Sequence, residues 1–274
     1  MKKAIMIKKK VLIIIITCVM VTGYFSCKRD YTMRSPAATT QGKSFLRIID
    51  ASPNFRNIFN LPDSFNVIIN GNKITAYTPG TSVLMTFGAI FPTVSSGYGY
   101  VAIDPGTATV KLSVGINNPD SVQIAAFTKT FVADKYYTFM ITDSVRSSRD
   151  STQMFIQDAY SAVPSGYYNL RFIHAVLNDT AGKAVDIWST RANRYIFTNI
   201  KPGSITSFSQ WAYNPILNDT FFVRRTGAPT VVLDTLNAAS FSNQRTYTLY
   251  YRGDGNSNLS SNTKKRRLAT YVHQ

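Results

Sequence analysis

The most regular pattern of apolar and polar positions is a short phrase that occurs twice. Residues 45–51 read Phe-Leu-Arg-Ile-Ile-Asp-Ala, and 124 positions later residues 169–175 read Asn-Leu-Arg-Phe-Ile-His-Ala. Both copies alternate around a Leu-Arg pair, as in a half-buried strand with an apolar inner face and a polar outer face. A second apolar run follows each copy, at 65–69 and 184–188. The repetition predicts two copies of one β domain.

Further short runs, separated by turn residues, follow each copy. Asn70-Gly71 between alternating runs is the strongest hairpin signal, and no stretch has the 3.6-residue apolar period of a helix. We therefore predict two tandem β-sandwiches, residues 44–163 and 164–274, divided at the turn-forming Pro164-Ser165-Gly166. The predicted strands are 45–51, 65–69, 97–103, 107–114, 122–127, 136–142 and 153–157, then 168–175, 184–188, 195–198, 204–208, 221–225, 230–233, 246–251 and 267–272.

The composition agrees with this pattern. Apolar residues make up 45% of the 274 residues, and all 14 acidic residues are Asp. Glu favours helices, whereas Asp, Asn, Ser, Thr and Gly favour the turns between strands. The composition therefore favours two all-β domains with real cores over a helical or disordered chain.

The N-terminus has the layout of an export signal. Residues 1–27 contain five lysines and no acid, an apolar run fills 11–21, and Thr-Gly-Tyr-Phe-Ser-Cys follows at 22–27. The end resembles a bacterial lipobox, with Ser26 before Cys27, although Tyr24 stands where Leu is usual. We predict a signal peptide over 1–26 and a lipid on Cys27, followed by a flexible tether to residue 43. The alternative is an uncleaved anchor, but the run is shorter than the roughly 20 residues of a spanning helix.

Cysteine usage supports lipidation. Cys18 and Cys27 are the two cysteines of the chain, and Cys18 leaves with the signal peptide. The mature chain then has a single cysteine at its first position and no disulfide.

The net charge of +16 is spread unevenly. Eight bases balance eight Asp in 44–163, whereas 164–274 carries thirteen bases and five Asp. Export argues against a nucleic-acid partner, so the basic cluster is interpreted as a contact for acidic lipid headgroups or polysaccharide, or as a charge-protected edge strand. Its members are Arg224, Arg225, Lys264, Lys265, Arg266 and Arg267.

Aromatic residues give the better functional hypothesis. An exposed aromatic face can stack on sugar rings, because these side chains offer large rigid contact areas with a polar handle. The candidates are Tyr98, Tyr100, Trp188 and Trp211. The alternative is that the rings serve the strands themselves, where aromatic residues are common.

No pattern points to a catalytic or metal site. His174 and His273 are the two histidines, and neither has a motif around it; we interpret His174 as a polar residue at a strand end. Asp254-Gly-Asn-Ser-Asn258 has alternating oxygen donors, but Lys265 stands where a calcium loop has its bidentate Glu. Paired Asp residues for a hydrolase stay an open alternative. We expect no cofactor and no metal.

The repeated phrase also carries a family resemblance. The Leu-Arg-Ile-Ile-Asp-Ala-Ser-Pro of 46–53, the Val-Ile-Ile-Asn-Gly of 67–71, the Pro-Gly turns and the Tyr-Thr strand resemble the domain of unknown function 4397. The resemblance covers most of 44–274 in two copies. It implies immunoglobulin-like sandwiches in an extracytoplasmic lipoprotein, often of the Bacteroidota, and brings no established activity.

These observations predict a non-catalytic, lipid-anchored protein of the cell envelope, at the outer membrane on its periplasmic or surface face. The function they favour is binding or adhesion to a glycan or an envelope protein. The alternatives are a structural spacer within an assembly and a hydrolase that uses paired Asp.

Overall fold

The computed structural model describes residues 40–53, 64–75, 84–92, 99–114, 122–142, 153–179, 184–256 and 263–273. The predicted signal peptide, Cys27 and Tyr98 lie outside these ranges. The strands of the first half are β1 (Ser44–Asp50), β2 (Ser64–Ile69), β3 (Asn72–Lys73), β4 (Met85–Thr86), β5 (Ile90–Phe91), β6 (Val101–Ile103), β7 (Gly106–Val114), β8 (Val122–Phe131), β9 (Tyr136–Ile141) and β10 (Met154–Gln157). Those of the second half are β11 (Tyr167–His174), β12 (Val185–Ser189), β13 (Arg194–Ile200), β14 (Ser209–Ala212), β15 (Asp219–Arg225), β16 (Ala228–Ala239), β17 (Thr246–Arg252) and β18 (Arg267–Val272).

The first ten strands form a sandwich of two sheets. One sheet has the order β10-β9-β1-β5, with β6 also on β1, and the other has the order β3-β2-β7-β8, with β4 also on β2. The β2–β3 turn has positive φ at Asn70 (49°) and Gly71 (83°), as a two-residue hairpin turn requires. Leu46, Ile48 and Phe139 meet residues of the second sheet in a buried core. Each such side chain contributes about 1.5–3 kcal/mol by burial.

The last eight strands form a second sandwich with equivalent pairing. Its sheets have the orders β14-β11-β17-β18 and β13-β12-β15-β16. β11 lies parallel to β17, as β1 lies parallel to β9. Leu170 and Phe172 of β11 enter a separate core. The prediction of two immunoglobulin-like β-sandwiches is confirmed.

The two sandwiches belong to one compact unit, which begins at Gly42, and they share a third core. Its buried residues come from the inner sheet of each sandwich, and include Ile49 of β1, Met140 of β9, Ile173 of β11 and Tyr250 of β17. The protein is therefore four sheets deep at this point. The outer face of the repeated strand was predicted to face solvent, and this is wrong: it is covered by the other sandwich.

Strand placement differs from the prediction in several places: β4 and β5 were not predicted, β16 is longer than the predicted 230–233, and one predicted strand is displaced. The predicted strand at 204–208 makes a single bridge, between Ile205 and Ile173, and the paired strand is β14 instead. A Pro-Gly turn precedes this segment, and alternation alone does not fix where pairing begins after a turn.

No helix long and apolar enough to cross a membrane is found in the part of the chain that the structure describes.

The two sandwiches stand side by side with β1 and β11 pointing the same way. We call the end with the first residues of these strands, Ser44 and Tyr167, the proximal end, and the other the distal end. At the distal end, Lys264 Nζ donates to the carbonyl of Pro53 at 3.0 Å. Contacts near the proximal end are described below.

Candidate functional site

A cluster of aromatic rings covers the outer face of the β13-β12-β15-β16 sheet. Trp188 of β12 is paired with Tyr195 on one side and Phe222 on the other. The neighbours of Trp188 along β12, Ile187 and Ser189, point into the sandwich and are buried, so Trp188 points outward. Its ring meets that of Tyr195 edge to face, with centroids 4.9 Å apart. The three rings are partly exposed.

Arg224 lies over this aromatic face. Its guanidinium carbon is 5.1 Å from the Trp188 ring centre, 5.5 Å from that of Phe222 and 6.0 Å from that of Tyr195. Such stacking holds a cation over ring faces. Within the described residues no carboxylate forms a salt bridge with Arg224, although its cross-strand partner on this face is Asp186. We call Trp188, Tyr195, Phe222 and Arg224 the aromatic–arginine face.

The other aromatic candidates do not join this face. Trp211 covers the edge of the second core and donates from Nε1 to Ser209 Oγ at 2.8 Å. Tyr100 lies between the two sandwiches, where burial raises its pKa. Sequence reasoning found Trp188 and Arg224 but missed Tyr195 and Phe222, because the pairing register that brings them together cannot be read from one strand.

The basic cluster is divided between different roles. Arg225 donates to Asp179 at 2.7 Å, and Arg266, 5% exposed, lies 3.7 Å from the same carboxylate. Arg266 is thus part of a buried ion cluster, and the prediction of a surface contact fails for it. Lys264 bridges to the first sandwich, and Lys265 is partly exposed. In the run 264–267, Arg267 is the exposed residue.

The described aspartates serve the fold. Asp219 accepts from Ser189 and Thr190, Asp186 accepts from Thr226, and Asp234 accepts from the backbone N–H of Leu268. No group of three or more His, Cys, Asp or Glu side chains suited to a metal ion occurs among the described residues. The Asp254 carboxylate accepts from Asn178 Nδ2 at 2.9 Å, which ties its loop to the sandwich.

The two arginines of the repeated phrase meet the opposite sandwich. Arg171 is 4% exposed; it donates from Nη2 to Asp158, which follows β10, and from Nε to Thr248 Oγ1 at 2.9 Å. Arg47 is 2% exposed and donates from Nη2 to the carbonyl of Val272 at 2.7 Å. Asp158 and His273 occupy equivalent places after β10 and β18. The interface therefore has approximate two-fold symmetry in position but not in charge.

Tyr100 and His273 close this network into a ring. The Tyr100 hydroxyl donates to Asp158 Oδ2 at 3.0 Å and lies 2.7 Å from His273 Nδ1. The other imidazole nitrogen lies 2.7 Å from Thr248 Oγ1. Because the Tyr100 hydroxyl uses its proton for Asp158, it accepts a hydrogen bond from His273, which therefore carries its proton on Nδ1. The Thr248 hydroxyl then donates to Nε2 of His273. Burial and the nearby arginines lower the pKa of His273, which agrees with a neutral ring.

One glycine is required by this interface. Gly99 has φ +64°, and a Cβ there would lie 2.5 Å from Arg47 Nη2. Its carbonyl accepts from Arg47 Nε at 2.8 Å. The close approach of backbone to guanidinium thus depends on the missing side chain.

An open hollow of about 600 Å³ lies at the proximal end of the first sandwich. It is lined by the turn before β9 and by the segment after β10, with Lys135, Tyr136 and Tyr160 on its wall. The Tyr136 and Tyr160 rings are 5.6 Å apart. Two aromatic residues line the hollow, against three on the aromatic–arginine face, and its lining contains no tryptophan.

The fold and these surfaces define a two-sandwich β protein with a partly exposed aromatic face. The chain belongs to the family described as Domain of unknown function (DUF4397), which matches residues 44–188. That match covers the first sandwich and continues into β12. None of the curated proteins matches the sequence.

Two solved structures show weak similarity. One is the carbohydrate-binding module CBMbc (family CBM26) of Eubacterium rectale Amy13K in complex with maltoheptaose, with 12% identity, 83% of this chain and 95% of that chain covered, and a TM-score of 0.21. The other is a candidate adhesin from Bacteroides ovatus, with 10% identity, coverage of 77% and 90%, and a TM-score of 0.18. At these TM-scores neither match carries an argument about ligand or activity.

Proposed function

We propose that the chain is a non-catalytic lipoprotein of the cell envelope that binds an acidic polysaccharide through the aromatic–arginine face. The observation that carries the proposal is the guanidinium of Arg224 held over three partly exposed rings without a salt-bridged carboxylate in the described structure. The rings supply stacking surface for sugars, and the guanidinium supplies paired donors for a carboxylate or sulfate group.

We further propose that residues 164–274 are a second copy of the family's domain, with the boundary at 164–166. Equivalent sheet orders, the shared parallel pairing of β1 with β9 and β11 with β17, and the repeated Leu-Arg phrase support this. The first copy lacks a counterpart of Trp188 in its matching strand β2, where Ser64–Ile69 reads SFNVII. The binding face therefore belongs to the second copy.

Trp188→Ala and Arg224→Gln are each expected to weaken binding of an acidic polysaccharide about tenfold or more. The estimate follows from losses of about 2 kcal/mol for a central aromatic residue or a charge-assisted hydrogen bond. Affinity is measured by titrating purified protein in a Trp211→Phe background, so that Trp188 fluorescence reports occupancy where Trp188 is present, and by calorimetry for Trp188→Ala.

Arg194→Gln, measured by calorimetry with Trp211 in place, is the matched control, because Arg194 also lies over a tryptophan, 5.3 Å from the Trp211 ring. It should leave affinity unchanged. A neutral glucan should bind at least tenfold more weakly than the acidic polymer, since it lacks a group for the guanidinium. Equal losses in Arg194→Gln and Arg224→Gln, or no binding of any polysaccharide by folded protein, would refute the proposed site.

The proposed anchor has its own test. In cells fed labelled palmitate, the protein should incorporate the label and partition into the membrane fraction, and Cys27→Ala should abolish both. Retention of label by Cys27→Ala, or none in the unaltered chain, contradicts a lipid on Cys27.

A spacer role in an envelope assembly is the second candidate, and the shared third core favours it. Two sandwiches joined by buried apolar residues and an ion pair act as one stiff body. This role predicts that the protein purifies from native membranes in a larger complex.

A further inference from the structure

Four of the seven exposed large apolar side chains in the described structure lie at the proximal end. Ile216 and Leu217, in the loop between β14 and β15, are 87% and 55% exposed, the two largest values among the exposed large apolar residues described. Tyr167, the first residue of β11, is 42% exposed, and Val132, after β8, is 52% exposed. Leaving such side chains in water forgoes about 1.5–3 kcal/mol each, so their presence at one end of the protein indicates an interaction surface.

Several contacts place these residues at one end. The backbone N–H of Tyr213 donates to the carbonyl of Gly166, which brings the β14–β15 loop beside the start of β11. In the first sandwich, Val132 precedes the turn whose Asp134 accepts from the backbone N–H of Gly42 at 3.2 Å. The chain thus enters its folded part at the same end that exposes Ile216 and Leu217.

The charges around this apolar surface are mainly positive. Lys135, Arg194 and Arg245 are exposed there. The exposed acids at this end are Asp104, which is paired with Lys43, and Asp134. Apolar tips surrounded by basic side chains suit the boundary between acyl chains and anionic headgroups.

We propose that the proximal end docks on an anionic lipid surface, with Ile216 and Leu217 inserted among the acyl chains. The inference uses the anchor of the proposed function: 14 residues separate Cys27 from Gly42, and the flexible tether expected from the sequence would have a root-mean-square span of about 20 Å. An anchored chain therefore keeps its proximal end within reach of the bilayer. The basic distal run 264–267, interpreted from sequence as a contact for lipid headgroups, then points away from the membrane.

The test uses the full-length acylated protein in vesicles of phosphatidylethanolamine and phosphatidylglycerol. Ile216→Cys and Val231→Cys are each labelled with an environment-sensitive NBD probe, since acylation blocks Cys27. Val231, 45% exposed on β16 near the distal end, is the matched control. We expect the probe at 216 to shift to the blue and to be quenched by lipids with a label in the acyl chain, and the probe at 231 to behave as in water.

A second arm separates docking from anchoring. Unacylated Cys27→Ala protein is sedimented with the same vesicles, and Ile216→Asp added to it should lower the partition coefficient about tenfold, the equivalent of one apolar side chain withheld from the bilayer. Equal probe responses at 216 and 231, a response at 231 alone, or no effect of Ile216→Asp would overturn the docking proposal. Loss of palmitate labelling with an intact Ile216 effect would instead refute only the anchor.

Discussion

Arg171→Met is expected to lower the free energy of unfolding by about 3–5 kcal/mol, as measured by urea denaturation at pH 7. The substitution removes the guanidinium that donates to Asp158 and leaves a carboxylate with 0% exposed side chain without its cation. Tyr100 and Thr138 still donate to that carboxylate, at 3.0 and 2.6 Å, but they carry no charge. The loss comes from the uncompensated buried charge and exceeds that of the broken hydrogen bonds.

Arg47→Met is the matched control, since Arg47 is the equivalent residue of the first sandwich. It donates to two backbone carbonyls and stacks between Tyr100 and Tyr271, at 4.2 and 4.5 Å, with no carboxylate partner in the described structure. Its replacement should cost less, about 1.5–3 kcal/mol, because no counter-charge is left behind. Adding Asp158→Asn to Arg171→Met should restore stability. A cost for Arg171→Met no larger than for Arg47→Met, without that recovery, would contradict the account.

This interface explains why the repeated strand contains an adjacent leucine and arginine. Leu46 and Leu170 fill the two sandwich cores, while Arg47 and Arg171 cross to the other sandwich. The repeated phrase thus supplies side chains to both faces of the sheet: one face packs into its own sandwich core, and the other contacts the opposite sandwich. The two copies differ in the residue after the last strand, which is Asp158 in the first and His273 in the second. Arg171 therefore has a carboxylate partner, whereas Arg47 has backbone carbonyls and tyrosine rings.

Most strands could be predicted from sequence because alternation reports which side of a strand is buried. β2, β9, β15 and β17 lie within two residues of their predicted positions. The interface could not be predicted, because an arginine at an alternating polar position has the same pattern whether it meets water or another domain. Tyr100 and His273 are 173 positions apart, and no local signal brings them together.

For the candidate site, individual residues could be predicted from the sequence but their contacts could not. Residue type alone predicts Trp188 and Arg224 as candidates, because one belongs to the surplus of aromatic residues and the other to the surplus of basic residues. Their contact with Tyr195 and Phe222 depends on the pairing of β12 with β13 and β15, including the bulges between β12 and β13. The buried ion cluster of Arg266 with Asp179 likewise depends on two loops meeting in space.

His174 alone is expected to lower the free energy of unfolding by about 3 kcal/mol as the pH drops from 7 to 4. His174 is 0% exposed, neither ring nitrogen has a hydrogen-bond partner, and burial lowers its pKa from 6.5 to about 4. The folded state therefore binds fewer protons than the unfolded state between these values. Stability is unaffected above pH 6.5, declines as pH falls through this window and levels off below pH 4.

His174→Leu isolates this contribution. An apolar side chain of similar size suits the edge-on rings of Phe172 and Tyr251, so the variant should differ little from the unaltered chain at pH 8. At pH 4 it should be the more stable by about 3 kcal/mol, measured as the difference between urea midpoints converted by a common slope. The lowered pKa of His273 and the raised pKa of Asp234 are present in both chains and cancel in this difference. Parallel pH profiles would mean that His174 is protonated or reached by water in the folded state, and that the nearby Asp179 carboxylate compensates its charge.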